Sequence, residues 1–330
     1  MDLPLLCGLF AGFALSLYVA LDGFDLGVGA LLLIQSDQRQ RDGMVDSIMP
    51  TWDGNETWLV MAGVALLAGF PIAYGILMPA FYLPLITMLL ALGLRGVSFE
   101  FRHQLKSGGR AWDVAFGLGS VVAALMQGVI VGGLVSGVSI SGERFSGGVL
   151  DTFKPFPLLT GVALLVGYVV LGAGWLHLKS TAALRSFSER ILRSAAPAFL
   201  ALAAASCIGA TFVQPAIRDI WRTEYPILIL IVALFLFASV MLVRAVGGRA
   251  DGRPFALGLA LFGLAISGLG LAIFPDVVPF RLSLWAASSS PLSQIFLLVG
   301  AVVVTPVVLS YSAFAYWVFR GKTPAEGWEE

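Results

Sequence analysis

Charged residues are scarce in this sequence. Only 12% of the 330 residues are charged and 58% are hydrophobic, whereas soluble globular domains carry about 25% charged residues. The mean hydropathy is +0.91. The 20 basic and 20 acidic residues balance, so binding to nucleic acid has no electrostatic support. This composition predicts a polytopic membrane protein.

Cysteine and histidine are scarce too. Cys7 and Cys207 both lie within apolar runs, and we expect them to be small buried hydrophobic residues rather than a disulfide framework or a metal motif. His103 and His177 lie at predicted helix ends beside basic residues, a position typical of interfacial polar side chains. Because a haem needs axial ligands at a defined depth, we expect this chain to bind no haem, no metal and no other cofactor by itself.

Long apolar runs are abundant. A helix that spans a bilayer needs about 20 predominantly apolar residues, and open strands cannot satisfy their backbone groups in lipid. The sequence therefore predicts an all-α membrane protein with nine transmembrane helices, forming a single membrane domain over residues 1–330. The predicted spans are 5–34, 54–75, 79–101, 113–138, 157–178, 190–212, 225–245, 255–273 and 291–319. Spans two and three are joined by a very short turn near Pro79.

The basic residues predict an orientation. With nine spans, one set of alternate loops holds fourteen lysines and arginines and the opposite set holds five, while Arg95 lies inside the third span. Since cytoplasmic loops carry the excess of basic residues, we expect the N-terminus to be outside and the C-terminus to be cytoplasmic.

Two aspartates lie inside the first span. A carboxylate at membrane depth costs about 2.5 to 3.5 kcal/mol, and a spacing of three places Asp22 and Asp25 on one helix face. Asp22 follows Leu5 by 17 residues, or roughly 26 Å of helix, which places it in the cytoplasmic half. Intramembrane acids of this kind indicate a functional site or an essential partner.

Two other segments bring polar groups to the same depth. The second span begins near residues 52–59 (WDGNETWL), and the third span ends with residues 95–102 (RGVSFEFR). We therefore expect one buried polar cluster or proton path. Its members would be Asp22, Asp25, Asp53, Asn55, Glu56, Arg95 and Glu100, with Trp52 as a wall.

Two interpretations of this cluster stay open. In a structural one, Asp53 caps the second helix and Arg95 neutralises a buried aspartate, so that the network only holds helices in register. In a functional one, the acids line a proton path from the cytoplasm. Gly23 and Gly27 have the GxxxG spacing that lets another helix approach closely.

These motifs resemble subunit II of the cytochrome bd quinol oxidases. The resemblance rests on residues 23–29 (GFDLGVG), 52–59 and 95–102, and it returns at residues 274–275 (FP), 283–285 (SLW) and 306–317. The compact length and short loops resemble the cyanide-insensitive branch. The shared motifs include Asp25, Trp52, Asp53 and Arg95, whereas Ala286 stands where some relatives have an acid.

The resemblance implies a heterodimer in the bacterial inner membrane. Each subunit would have two four-helix bundles and a peripheral helix, here residues 1–138, 157–273 and 291–319. Subunit I would carry two b-type haems, haem d and the quinol site. The complex would oxidise quinol, reduce oxygen to water and generate a proton gradient. This chain would have no catalytic residue, support assembly of the haem centres and line a proton or oxygen path.

Two other classes of function are left open by the residues alone. A transporter would use the buried acids as cation sites, although the broken helices and inverted repeats typical of transporters are not clear here. A scaffold would use the same acids only for packing. The sequence also leaves open an accessory single-helix subunit and a bound quinone or lipid.

Overall fold

The fold is almost entirely helical. A computed structural model describes residues 1–104, 109–180, 182–246 and 252–323. Within these ranges, eight helices are long and apolar enough to cross a membrane, and Pro71–Ala80 is a shorter apolar helix. The prediction of an all-α polytopic membrane protein is confirmed, whereas the count of nine spans is not. The division into two bundles and a peripheral helix stays a prediction.

The helices of the described residues are α1 Leu3–Leu32, α2 Gln38–Ile48, α3 Trp52–Gly69, α4 Pro71–Ala80, α5 Tyr82–Gln104, α6 Gly109–Ser136, α7 Pro155–Lys179, α8 Ala182–Val213, α9 Pro215–Thr223, α10 Tyr225–Ala245, α11 Arg253–Ile273, α12 Leu284–Ala287 and α13 Pro291–Val318. A short 3-10 helix, Asp151–Phe153, and two antiparallel strand pairs complete the described elements. The strand pairs are β1 Ile140–Ser141 with β2 Arg144–Phe145, and β3 Asp276–Val278 with β4 Leu282–Ser283.

The long helices run between two opposite sides of the molecule, which we call the α2 side and the hairpin side. The α2 side carries α2, the end of α1, the starts of α3 and α6, and the ends of α5 and α7. The hairpin side carries the N-terminus and both strand pairs. There the Trp285 indole N–H donates to Asp2, whose carboxylate also accepts from the Leu5 amide at the start of α1.

The predicted span 54–75 is interrupted. α3 ends at Gly69 and α4 begins at Pro71, because proline lacks an N–H donor and its ring clashes with the preceding helical turn. Only Phe81 separates α4 from α5, so the short connection expected near Pro79 lies slightly later. The sixth predicted span also differs, since α8 begins at Ala182 rather than near residue 190.

Glycines bring α7 into backbone contact with α1. A Cβ atom added at Gly27 would lie 1.8 Å from the carbonyl oxygen of Tyr168, and one at Gly172 would lie 2.5 Å from the carbonyl carbon of Gly27. Such close approach is what small residues permit between membrane helices, so the expectation for Gly27 is confirmed. Phe24 stacks on Trp175 with ring centroids 4.4 Å apart. These contacts fix the segment of α1 that carries Asp22 and Asp25.

Candidate functional site

Acids from two helices meet a buried arginine on a third helix. The side chains of Asp22 and Asp25 on α1 and Arg95 on α5 are fully buried. Arg95 Nη1 lies 2.7 Å from Asp22 Oδ1, and Arg95 Nη2 lies 3.9 Å from Asp25 Oδ2. Glu56 on α3 is also 3.9 Å from Arg95 Nη1, and its side chain is 27% exposed. We call Asp22, Asp25, Glu56 and Arg95 the Arg95 cluster; Glu56 connects it to the surface of the chain.

An amide links this cluster to the last helix. Asn55 Nδ2 donates to Asp25 Oδ2 over 2.7 Å, and the Tyr316 hydroxyl on α13 donates to Asn55 Oδ1 over 2.9 Å. Asn55 is therefore held from both sides, and its donor points at the carboxylate. The sequence interpretation included Asn55 but gave Tyr316 no role in the cluster.

A second polar chain continues from Asp22 into the protein. Tyr18 lies one helical turn before Asp22 and interacts with it electrostatically. Gln127 Nε2 on α6 donates to the Tyr18 hydroxyl over 2.7 Å, and the Tyr168 hydroxyl on α7 donates to Gln127 Oε1 over 2.8 Å. Sequence reasoning missed all three residues. The available signal was a tyrosine four residues before a buried acid in the same apolar helix.

The Arg95 cluster has more acids than bases. Three carboxyl groups face one guanidinium. Both oxygens of Asp22, Oδ1 of Asp25 and all three guanidinium nitrogens of Arg95 lack a well-aligned hydrogen bond to any described residue. Since buried polar groups are normally hydrogen-bonded, these six atoms set the Arg95 cluster apart from most other buried polar groups.

Three other predicted residues are not among the side chains that pair with Arg95 in the described part of the chain. Trp52 packs against α5, with its ring centroid 5.0 Å from that of Phe99 and its ring 3.7 Å from where a Cβ atom added at Gly96 would lie; its role as a wall of the cluster stays a prediction. Asp53 is exposed and lies in the first turn of α3, while the N-cap is Thr51, so the expectation that Asp53 caps the helix is wrong. Glu100 is exposed on α5, because five residues at 3.6 per turn place it roughly 140° around the helix from Arg95.

A second buried cluster lies at the α2 side. Arg41 Nε is 2.6 Å from Asp113 Oδ2, Arg102 Nε is 2.7 Å from Asp113 Oδ1, and Arg102 Nη2 is 2.5 Å from Asp42 Oδ1. Arg41 also donates to three oxygen atoms in the loop and first turn over residues 35–38. We call Arg41, Asp42, Arg102 and Asp113 the Asp113 cluster. Sequence reasoning missed it, although Asp113 begins a predicted apolar span.

The predicted positions of the histidine and cysteine side chains are confirmed only in part. His177 is buried rather than interfacial, with Nδ1 3.8 Å from Glu189 Oε1, because the start of α8 folds over it. The side chain of His103 lies outside the described part of the chain. Cys7 is buried as predicted, whereas Cys207 is exposed. No group of three or more His, Cys, Asp or Glu among the described residues could hold a metal ion.

The chain is similar in sequence to second subunits of bacterial cytochrome oxidases. The chain is 30% identical to a probable cytochrome oxidase subunit 2 of Haemophilus influenzae, over 92% of this chain and 90% of that protein. It is 28% identical to cytochrome bd-I ubiquinol oxidase subunit 2 of Escherichia coli K12 (96% and 94% covered) and 28% identical to cytochrome bd ubiquinol oxidase subunit 2 of Bacillus subtilis (94% and 93%).

The fold also matches a solved structure, the bd oxidase from Geobacillus thermodenitrificans. The TM-score is 0.76 at 16% identity, with 97% of this chain and 99% of that chain covered. A family model described as cytochrome bd terminal oxidase subunit II matches residues 3–319. The apolar helices and the bacterial relatives make this a membrane-bound bacterial protein. The chain belongs to the cytochrome bd terminal oxidase subunit II family.

Proposed function

We propose that this chain is the non-haem subunit of a heterodimeric oxidase that oxidises quinol, reduces oxygen to water and generates a proton gradient. Family membership and the ubiquinol oxidase subunits among its relatives support this assignment. The two b-type haems, haem d and the quinol site belong to the partner, subunit I. The scarcity of histidine in this chain supports that placement: the one histidine whose side chain is described, His177, has Nδ1 3.8 Å from Glu189 Oε1 at the end of α7.

The Arg95 cluster exchanges protons in this proposal. The observation that carries it is the excess of carboxyl groups: three acids share one arginine in a site where two of the acids are fully buried. An unpaired buried carboxylate costs several kcal/mol, so neutrality of the fully buried groups requires a proton on one of the two aspartates, while the partly exposed Glu56 reaches the surface of the chain. Protons enter at the partly exposed Glu56 and reach the two aspartates, whose geometry Arg95 and Asn55 maintain.

Entry is from the cytoplasm in the orientation that we propose for the inner membrane. The basic residues of alternate loops support an outside N-terminus and a cytoplasmic α2 side. Glu56 and Arg95 then lie toward the cytoplasm. Protons taken up there for oxygen reduction add to the gradient, because quinol protons are released on the opposite side.

Support of haem assembly is a second role, and the Asp113 cluster favours it. Its two arginines and two acids balance in charge and join α2, α5 and α6 through short bonds. Tyr316 similarly ties α13 to Asn55. These contacts fix helices that a haem-bearing partner would pack against, without any proton exchange.

Separate Asp25→Asn and Asp53→Asn variants of the whole complex distinguish these roles. We expect Asp25→Asn to retain haem and to lower the rate of quinol oxidation at least tenfold, since it removes a buried exchangeable proton. Asp53→Asn changes an exposed acid in the neighbouring helix and should have a smaller effect. Haem content, oxygen consumption and proton uptake in proteoliposomes are measured together. Normal rates with full haem in both variants would contradict the relay, and loss of haem would indicate a scaffold.

A further inference from the structure

A cavity opens on the hairpin side, far from the Arg95 cluster. Its volume is about 580 Å³, within the range of roughly 300 to 1,000 Å³ typical of ligand pockets. It lies between the end of α6 and the start of α7, and its walls include Phe81, Phe145, Phe156 and Val213. These apolar walls suit hydrocarbon or another apolar group. We call it the hairpin-side cavity.

Two opposite charges stand at this cavity. Lys154 Nζ lies 3.5 Å from Asp151 Oδ1, and the two side chains are 65% and 47% exposed, respectively. The Gly148 amide donates to Asp151 Oδ2 over 2.7 Å. That hydrogen bond, with the nearby Lys154 ammonium, lowers the pKa of Asp151 below its usual range. The cavity therefore presents one negative and one positive charge side by side.

A buried hydroxyl lies between these charges in sequence. Thr152 lines the cavity and is only 5% exposed, and its Oγ1 has no hydrogen bond to any described residue. A buried hydroxyl without a partner costs free energy. A polar ligand in the cavity would satisfy it, whereas a purely apolar ligand would not.

The cavity lies at the boundary between membrane and water. α7 begins at Pro155 and has 25 residues, which is roughly 38 Å of helix, longer than the hydrocarbon core of about 30 Å. Its first residues therefore reach the level of the lipid headgroups. Asp151 and Lys154 immediately precede this helix, so the charges face headgroups while the apolar walls extend toward the acyl chains.

We propose that the hairpin-side cavity binds one phospholipid with a zwitterionic, amine-bearing headgroup of the phosphatidylethanolamine type. The lipid phosphate pairs with Lys154, the headgroup ammonium pairs with Asp151, and the Thr152 hydroxyl donates to a phosphate or ester oxygen. The first part of the acyl chains packs on Phe81, Phe145 and Phe156. An anionic headgroup is disfavoured because Asp151 repels it, and a quinone has no charges to match the pair.

Lipid retention by the intact complex tests this site. Wild-type complex is exchanged into mixtures of phosphatidylethanolamine, phosphatidylglycerol and ubiquinone, and bound molecules are identified by native mass spectrometry. We expect one phosphatidylethanolamine to be retained at least fivefold over phosphatidylglycerol. Asp151→Asn should remove this preference, because the ammonium loses its partner while Lys154 still attracts phosphate. Lys154→Gln should weaken retention of both phospholipids.

A matched control is Asp219→Asn, which breaks the exposed Asp219–Arg222 pair of α9, 3.3 Å apart, without touching the cavity lining. It should leave lipid retention unchanged. Thr152→Val should reduce retention severalfold without changing the preference between headgroups. The proposal is wrong if wild type shows no headgroup preference, if Asp151→Asn leaves the preference intact, or if ubiquinone occupies the site. Quinol oxidation is not the readout, so failure here leaves the proposed function standing.

Discussion

Two buried clusters of arginines and acids lie in the same half of this protein, yet they are built differently. In the Asp113 cluster two arginines meet two acids, and each arginine has close acceptors. In the Arg95 cluster one arginine meets three acids, and six polar atoms lack a well-aligned hydrogen bond within the described residues. The charges of the first cluster balance, whereas the second has two more acids than arginines.

This difference in charge balance separates a network that stabilises the packing of helices from one that has surplus acids. A buried ion network stabilises only when its charges and hydrogen-bonding groups are satisfied. The Asp113 cluster meets that condition and joins three helices near the α2 side. The Arg95 cluster does not meet it, because its acids outnumber its one arginine and several of its polar atoms lack a well-aligned hydrogen bond, and it is the cluster that we propose to exchange protons. Charge balance, rather than burial, therefore separates the structural cluster from the proposed functional one.

The largest effect is expected from Asp113→Ala. This change leaves Arg41 and Arg102 without their shared buried carboxylate, and breaking a buried pair costs about 3 to 5 kcal/mol. We expect the complex to assemble poorly, with reduced yield and a lower unfolding temperature. The control is Asp42→Ala, whose side chain is 43% exposed and should cost much less. Equal stability of the two variants would contradict a structural role for the Asp113 cluster.

Substitution of Arg95 should have the next largest effect, and a second substitution should partly reverse it. Arg95→Met leaves three acids without a base, so we expect a lower unfolding temperature and less haem per complex. Adding Asp22→Asn removes one surplus carboxylate. The coupling energy between the two sites should be about 0.5 to 3 kcal/mol, as for other residues in direct contact.

Additive effects in this double-mutant cycle would show that charge balance does not govern the Arg95 cluster. Arg95→Lys is the conservative comparison. It keeps the positive charge but loses the planar fork that reaches several carboxylates at once. Its effect should therefore lie between those of wild type and Arg95→Met.

The members of the Arg95 cluster were partly predictable from sequence. A charged residue inside an apolar run is visible without any tertiary information, and this is the basis of the prediction that Asp22, Asp25 and Arg95 belong together. Glu100 was included by its nearness to Arg95 in sequence, although helical rotation places it on an exposed face. Position along the chain therefore predicts how deep these residues lie in the membrane, but not which face of the helix they occupy.

The remaining contacts were not predictable in the same way. Arg41 and Asp113 are 72 residues apart, and Tyr18 and Gln127 are 109 apart. No periodicity connects such pairs, because the packing of separate helices decides which side chains meet. The interruption at Pro71 is different: the proline was visible in the sequence, and its effect on the second span follows from its missing donor.

The smallest effects on stability, with contrasting effects on rate, are expected from Glu56→Gln and Glu100→Gln. Each substitution removes one carboxylate; Glu100 is on an exposed helix face, where such changes usually alter stability by no more than about 0.5 kcal/mol, and Glu56 is the least buried acid of a cluster that already has surplus carboxyl groups. Glu56 lies 3.9 Å from Arg95 and is the exposed member of the Arg95 cluster, whereas Glu100 is on another face of α5. Glu56→Gln should therefore slow proton uptake severalfold at unchanged haem content, and Glu100→Gln should not. Proton uptake by the reconstituted complex measures this, and equal rates in both variants would remove Glu56 as the entry point and leave the Arg95 cluster without a route to the surface of this chain.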